Sequence, residues 1–280
     1  MLNIPNITLN DGYLLPSLGL GTYQIRGGIG KQQLLAAIRS GYRLIDSATN
    51  YDNEGIVGQA IRESGIPRSD FFITSKLPGK YHGYDDALSA IQESLARMNL
   101  TYFDLFIIHW PLPKRDQYVA AWQALVTAQK LGLIRSIGVS NFEPEHLDRI
   151  IDATGVTPAI NQIEIHPYWP QPENLAANKA RGITVQAWSP LGRGSQALQE
   201  PIITELAAKY HKSVNQIVAR WHVDRGIIPI IRSTHPVHQY DNANIFDFSL
   251  TQTEIDAINQ LARPDGRIDN QDPNEYEEFE

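Results

Sequence analysis

The stretch Phe71–Trp110, FFITSKLPGKYHGYDDALSAIQESLARMNLTYFDLFIIHW, decides the fold class. It opens with one short apolar run, FFITSK at 71–76, and closes with another, DLFIIHW at 104–110. Neither alternates strictly between apolar and polar, so both read as strands buried on two faces. Between them Ala87, Ile91, Leu95 and Met98 recur at spacings of four, four and three, one apolar stripe on a helix over Tyr84–Asn99. Strand, helix and strand in this order make the repeating unit of a parallel sheet.

The unit recurs on both sides. Further strands are expected at 18–23, 42–48, 135–140, 159–165, 183–189 and 226–233, eight in all. Helical spacing fills the intervals at Lys31–Ser40, Asn53–Ser64, Arg115–Lys130, Pro144–Ala153, Glu173–Arg181 and Val214–Asp224. Gly41, Gly65, Gly132, Gly155, Gly182 and Gly226 stand where helices should stop. With no composition shift or linker, this pattern predicts an α/β fold, a single (β/α)8 TIM barrel domain over 1–280. Asp11-Gly12 between two short apolar runs predicts an N-terminal β-hairpin that plugs the barrel bottom. Helices at Ile202–Tyr210 and Thr253–Ala262 are additions, the latter an extra C-terminal helix. The tail from about 265 to 280 is acidic and proline-interrupted; it is expected to be irregular, and solvated rather than a lid.

Composition narrows the chemistry. The chain of 280 residues has no cysteine, which excludes disulfides, thiolate metal sites and a cysteine nucleophile. A formal charge of −7 gives no global field towards nucleic acid or anionic membrane, and no apolar run is long enough to span a bilayer. A cytoplasmic monomer without nucleic-acid or membrane partners is the expectation.

In a barrel, reactive groups stand at the C-terminal strand ends. Here those ends carry Asp46, Lys76, His109, Ser140 with Asn141, Gln162 with Glu164, Trp188 and Arg232. An aspartate and a lysine inside apolar strand ends are costly to bury unless they pair, which a purely structural ion pair would also satisfy. Tyr51, five residues beyond Asp46, can fold back over the mouth. An ammonium ~4 Å from a phenol at an effective dielectric of ~20 is worth about 4 kcal/mol, which would bring Tyr51 towards neutral pH as a proton donor. No Tyr-x-x-x-Lys and no P-loop occur. Gly192–Ala197 matches G-x-G-x-x-A in form, but it falls too late in the barrel pattern for a Rossmann fingerprint. Strands four and seven end in His109 and Trp188 rather than in paired carboxylates, against glycosidase chemistry.

Seven motifs in order then resemble the aldo-keto reductases: Gly19-Leu-Gly-Thr-Tyr23, Leu44-Ile-Asp-Ser-Ala48 with Tyr51, Thr74-Ser-Lys76, His109-Trp-Pro111, Gly138-Val-Ser-Asn-Phe142, Asn161-Gln-Ile-Glu-Ile-His-Pro167 and Trp188-Ser-Pro-Leu-Gly192. The likeness is greatest to the bacterial branch called 2,5-diketo-D-gluconic acid reductases, whose loop after strand four is short. The resemblance implies metal-free reduction of an aldehyde or ketone of a small-molecule substrate by NADPH. It implies a catalytic set of Tyr51, Asp46, Lys76 and His109, with His109 positioning the substrate. Tyr23, Trp110 and the acidic tail would complete the pocket rim. Thr22 and Asp46 would border the cofactor; Ser140, Asn141 and Gln162 would bond its carboxamide, and Trp188 would stack on the nicotinamide. Ser189, Leu191 and Gly192 would line the pyrophosphate, and Arg232, Ser233, Thr234 and Asn242 the adenosine end.

Two departures from the family pattern bear on these roles. The family commonly reads Ile-Pro-Lys-Ser and then an arginine, where this chain has Ile230-Ile-Arg-Ser233 and then His238. Arg232 can grip a ribose 2′-phosphate, whereas His238 is a weaker, pH-dependent partner, which leaves NADH a weaker alternative. Lys76-Leu-Pro-Gly79 lacks the tryptophan many relatives carry, which widens the pocket. Two other classes compete. One is a non-catalytic nicotinamide-binding sensor or interaction subunit; the other is a metal-dependent hydrolase using Asp46, His109, Glu164 and His166, although the early H-x-H pair such sites use is missing.

Overall fold

The computed structural model describes residues 2–278; the end of the expected irregular tail, 279–280, lies outside them. A two-stranded antiparallel hairpin comes first, β1 (Asn6–Thr8) and β2 (Leu14–Pro16). Eight parallel strands follow: β3 (Gly19–Gly21), β4 (Leu44–Asp46), β5 (Phe72–Leu77), β6 (Phe103–Ile108), β7 (Ile134–Ser140), β8 (Ile160–Glu164), β9 (Thr184–Trp188) and β10 (Ile228–Ile231). They pair in sequence order, and β10 closes on β3, giving the expected barrel. Every residue of β5 and β6 is buried, which explains their near-continuous apolar character.

The helices α1 (Gly27–Ser40), α2 (Glu54–Glu63), α3 (Tyr84–Met98), α4 (Tyr118–Lys130), α5 (Pro144–Thr154) and α6 (Pro172–Ala180) follow the strands in turn. On α3 the predicted stripe Ala87, Ile91, Leu95 and Met98 is buried, at about 1.5–3 kcal/mol for each large side chain. Gly155 caps α5 at φ 68°, a left-handed turn that costs glycine little. After β9 come α7 (Pro201–Tyr210) and α8 (Val214–Asp224), the first being the expected addition. Beyond β10 lie α9 (Pro236–Ala243) and α10 (Gln252–Asn259), the latter the expected C-terminal helix. Sequence reasoning missed α9, PVHQYDNA, because it has no apolar stripe; Pro236 in its first turn was the available signal.

The hairpin does plug the bottom. Leu9 and Leu15 are buried in one cluster with the barrel-lining Leu44, Phe72, Leu105, Ile160, Ile228 and Ile230. A surface cavity of about 640 Å³ lies at this same end, lined by Leu2, Tyr13, Leu14, Arg43, Asp104 and Arg135. It is remote from the strand ends that carry the reactive groups. Among the described residues no helix is long and apolar enough to cross a membrane.

Candidate active site

At the opposite end β4 stops at Asp46, and β5 carries Lys76 almost to its own end. Lys76 is 1% exposed, so its three ammonium protons need acceptors inside the protein. It finds three: Asp46 Oδ1 at 2.5 Å, the Ser47 carbonyl at 2.8 Å and the Tyr51 hydroxyl at 3.4 Å. Tyr51 reaches that position on a 3-10 turn, Thr49–Tyr51, that begins just beyond β4. The loop is held by Asn53, which bonds Ser47 Oγ, the Thr22 carbonyl and the Ile25 carbonyl. His109 follows β6, and its ring centroid lies 6.0 Å from that of Tyr51. Tyr23 closes the other side of Tyr51 at 5.1 Å.

The electrostatics differ from the expectation for Tyr51. Burial raises its pKa above the ordinary phenol value, and Lys76, which works the other way, does not overcome it. The ammonium alone would lower the phenol, but desolvation is the larger effect and decides the sign. Tyr51 therefore holds its proton throughout the neutral range, the state a proton donor requires. Burial also works against the charge on Lys76, but Asp46 and Tyr51 outweigh it and raise the lysine above its usual value.

The residues expected around a nicotinamide form a continuous hydrogen-bonded network with this cluster. Gln162 donates to Asp46 Oδ2 at 2.8 Å and to Gln186 Oε1 at 2.9 Å. Ser140 Oγ donates to the Gln162 carbonyl at 2.7 Å. Asn141, at φ 63°, donates to the His109 carbonyl and to Ser140 Oγ, and accepts from Trp188 Nε1 at 2.7 Å. Thr22 is fully buried and accepts from Asn53. Ser189, Gly192, Arg193 and Gly194 all have positive φ, a run of the sort that turns backbone N–H groups into an anion-binding concavity. A Cβ on Gly192 would be strained at φ 62° and would push Ser195 Oγ, 2.5 Å away, aside; Leu191 precedes it.

Arg232 is exposed and bonds a neutral partner, Gln24 Oε1 at 3.2 Å, with no carboxylate pair among the described residues. Such a guanidinium is free to take a phosphate. Ser233 stands beside it, Thr234 and His238 are exposed, and Asn242 is buried on α9. His238 stacks against His235 with centroids 4.9 Å apart. The donor set as a whole, amides and a half-exposed indole near the ammonium and an arginine beyond, fits a dinucleotide phosphate.

The tail departs from the solvated state expected of its composition and takes the place at the pocket rim that the resemblance implies. It is irregular, but it folds over the mouth: Tyr276 packs on Trp110 at 4.5 Å between centroids, and Glu277 accepts from the Lys114 backbone at 2.9 Å. Glu278 enters the site itself. Its Oε1 lies 2.5 Å from His109 Nδ1 and 2.8 Å from Asn50 Nδ2, and its Oε2 accepts from Gly79 N at 2.9 Å. Sequence reading did not single out Glu278; the resemblance placed the tail at the rim as a whole, and Tyr276 inside the acidic run was the one residue-level sign that it packs. Asn53 and Gln186 were missed for lack of any motif.

Glu164 and His166 bond each other at 2.9 Å, while Asp46 is held by Lys76, so the four residues of the hydrolase alternative do not converge. Among the described residues no group of three histidine or acidic side chains is arranged to hold a metal ion.

Residues 17–263 match the sequence profile of the Aldo/keto reductase family. The chain belongs to that family. It is 46% identical over 279 residues, all of both chains, to "2,5-diketo-D-gluconic acid reductase B" of Corynebacterium sp.. It is 43% identical over 258 residues, 92% of each chain, to a "Methylglyoxal reductase" of Yersinia pestis. Among solved structures, the Bombyx mori aldo-keto reductase in complex with NADP superposes with a TM-score of 0.91 at 38% identity, covering 100% of this chain and 99% of that one. The Brucella melitensis aldo/keto reductase gives 0.89 at 42% identity, covering 92% and 100%. For this aldo/keto reductase, the Lys76-centred cluster occupies the catalytic end that a TIM barrel offers.

Proposed function

We propose that the protein reduces aldehyde or ketone groups of small molecules to alcohols with NADPH, and that Tyr51 is the proton donor. The observation that carries this reading is the buried Lys76 ammonium bridging Asp46 and the Tyr51 hydroxyl. The reductase names of the relatives and the NADP in the silkworm structure support the same class. When bound, NADPH supplies a hydride to the carbonyl carbon.

The chain's own residues do the rest. Tyr51 and His109 hold the carbonyl oxygen, which orients the carbon for attack. As that oxygen gains negative charge, Tyr51 passes its hydroxyl proton to it. The phenolate left behind is stabilised by Lys76, and Asp46 fixes the ammonium in place. Solvent then returns a proton to Tyr51. Ser140, Asn141 and Gln162 hold the carboxamide, Trp188 packs on the ring, and Thr22 closes the near wall. Ser189, Leu191 and Gly192 cradle the pyrophosphate; Arg232, Ser233, Thr234 and Asn242 hold the adenosine end, with His238 nearby. Arg232 favours NADPH, and NADH is the weaker alternative. Tyr23 and Trp110 form the pocket rim.

The test is oxidation of NADPH and of NADH against aldehydes, α-diketones and keto-sugars with chelator present. Turnover by the native chain and its loss in Tyr51→Phe, with NADPH binding retained, is the expected result. Full turnover in Tyr51→Phe removes the mechanism.

A further inference from the structure

The wall of the mouth beside His109 offers several donors to one point, and the chain answers them with a carboxylate of its own. The Asn50 side-chain amide, the Gly79 backbone N–H and the His109 ring all face Glu278, whose side chain is 5% exposed. His109 Nδ1 lies 2.5 Å from Glu278 Oε1, and no other partner for that nitrogen stands among the described residues. Burial works against the charge on Glu278, yet His109 and the Gly79 N–H bring its pKa below the usual carboxylate value, so the group is ionised at neutral pH. The docking is reinforced outside the cradle by Tyr276 on Trp110 and by Glu277 on the Lys114 backbone. A negative charge thus sits against the histidine that, in the reading above, meets the carbonyl oxygen.

We propose that Glu278 is a specificity-determining residue, a charge filter that fills the anion cradle from inside the chain and selects neutral carbonyl compounds over those that carry a carboxylate. The inference rests on the proposed reductase function for the word substrate, but the cradle and its occupant do not depend on it. It sets this chain's preference against an acid such as the one in the Corynebacterium relative's name. A ligand carboxylate about 8 Å from Glu278, at an effective dielectric of about 20, would be weakened about thirtyfold.

The experiment is calorimetric titration of the full chain with benzoate and with benzamide, a pair alike in shape and different in charge. Glu278→Gln keeps the bulk and removes the charge; it should tighten benzoate about thirtyfold and leave benzamide within about twofold. Glu275→Gln removes a charge from an exposed part of the tail that takes no part in the docking, and it should change neither ligand by more than about twofold. An equal gain for both ligands in Glu278→Gln would make the tail an uncharged plug and overturn the filter. No gain for benzoate, no measurable benzoate binding by Glu278→Gln, or the same gain in Glu275→Gln would overturn it as well. Circular dichroism melts confirm that both variants fold. Binding requires no turnover, so a charge-specific gain in a protein that reduces nothing refutes the reductase reading alone. Turnover without that gain refutes the filter alone.

Discussion

Each end of the barrel buries a carboxylate beside cations, yet the two clusters are finished differently. At the N-terminal end Asp104 meets Arg68 at 2.6 Å, Arg135 at 3.0 Å and the Ile73 N–H at 2.9 Å. Tyr102 packs against both guanidinium groups, 4.2 and 4.0 Å from its ring centroid. Those contacts saturate the carboxylate, and both arginines reach solvent. At the C-terminal end Asp46 holds Lys76 and Gln162, and the ammonium extends the chain of bonds to a half-buried phenol at the mouth. A charge cluster that closes on itself holds the barrel together, whereas one that ends on a group able to lose a proton can do chemistry.

Substitutions at the two ends should separate these roles. Tyr51→Phe carries the largest expected effect, a loss of about 10²–10⁴ in turnover with an unchanged melting temperature. Steady-state kinetics beside a thermal melt checks it, and a large stability loss would make the mouth cluster structural too. Asp104→Asn should do the reverse, lowering stability by about 2 kcal/mol in denaturant titration and leaving kcat within about twofold. The cost is below the usual figure for a broken buried pair because the stranded arginines can hydrate. A kcat that falls with Asp104→Asn would join the two ends into one functional unit.

Acid should strain the interior without distinguishing the ends. Burial lowers His82 to about 4 and His222 to about 3 from an ordinary 6.5. Both are neutral in the fold, so the unfolded chain takes up protons first. Their contribution is complete above about pH 6.5 and is lost as pH falls towards the folded values, at about 1–2 kcal/mol each by pH 5. Melting temperature followed from pH 7.5 to 5 should fall, and His82→Gln should flatten part of the slope. The smallest effect is expected at Arg232, where replacement by alanine should cut the NADPH-over-NADH ratio about tenfold in kcat/KM, the worth of one phosphate contact. An unchanged ratio would transfer the 2′-phosphate role elsewhere.

Much of this was legible in the sequence because strand and helix periodicities are local. All eight barrel strands lie within about two residues of their expected bounds, and Asp46, Lys76, His109 and Trp188 stand at or next to strand ends as the pattern requires. The motif series also placed Ser140, Asn141 and Gln162 near one another. It could not show that these side chains are bonded to Asp46 and His109 in one network, because hydrogen-bond partners across a barrel have no fixed spacing. The polar helix α9 escaped for a related reason, since a helix without a stripe has no period to detect.

Composition and periodicity therefore determined the barrel, its orientation and the residue types at its catalytic end. Tertiary structure decided how those residues behave. Desolvation, which no spacing reveals, turned the expected acidification of Tyr51 into a raised pKa. The tail shows the same limit at longer range: Glu278 bonds Asn50 from 228 positions away, and an irregular segment leaves no periodic trace of where it docks. Local order is written in the pattern of neighbours along the chain, whereas burial and charge balance exist only once distant segments share one space.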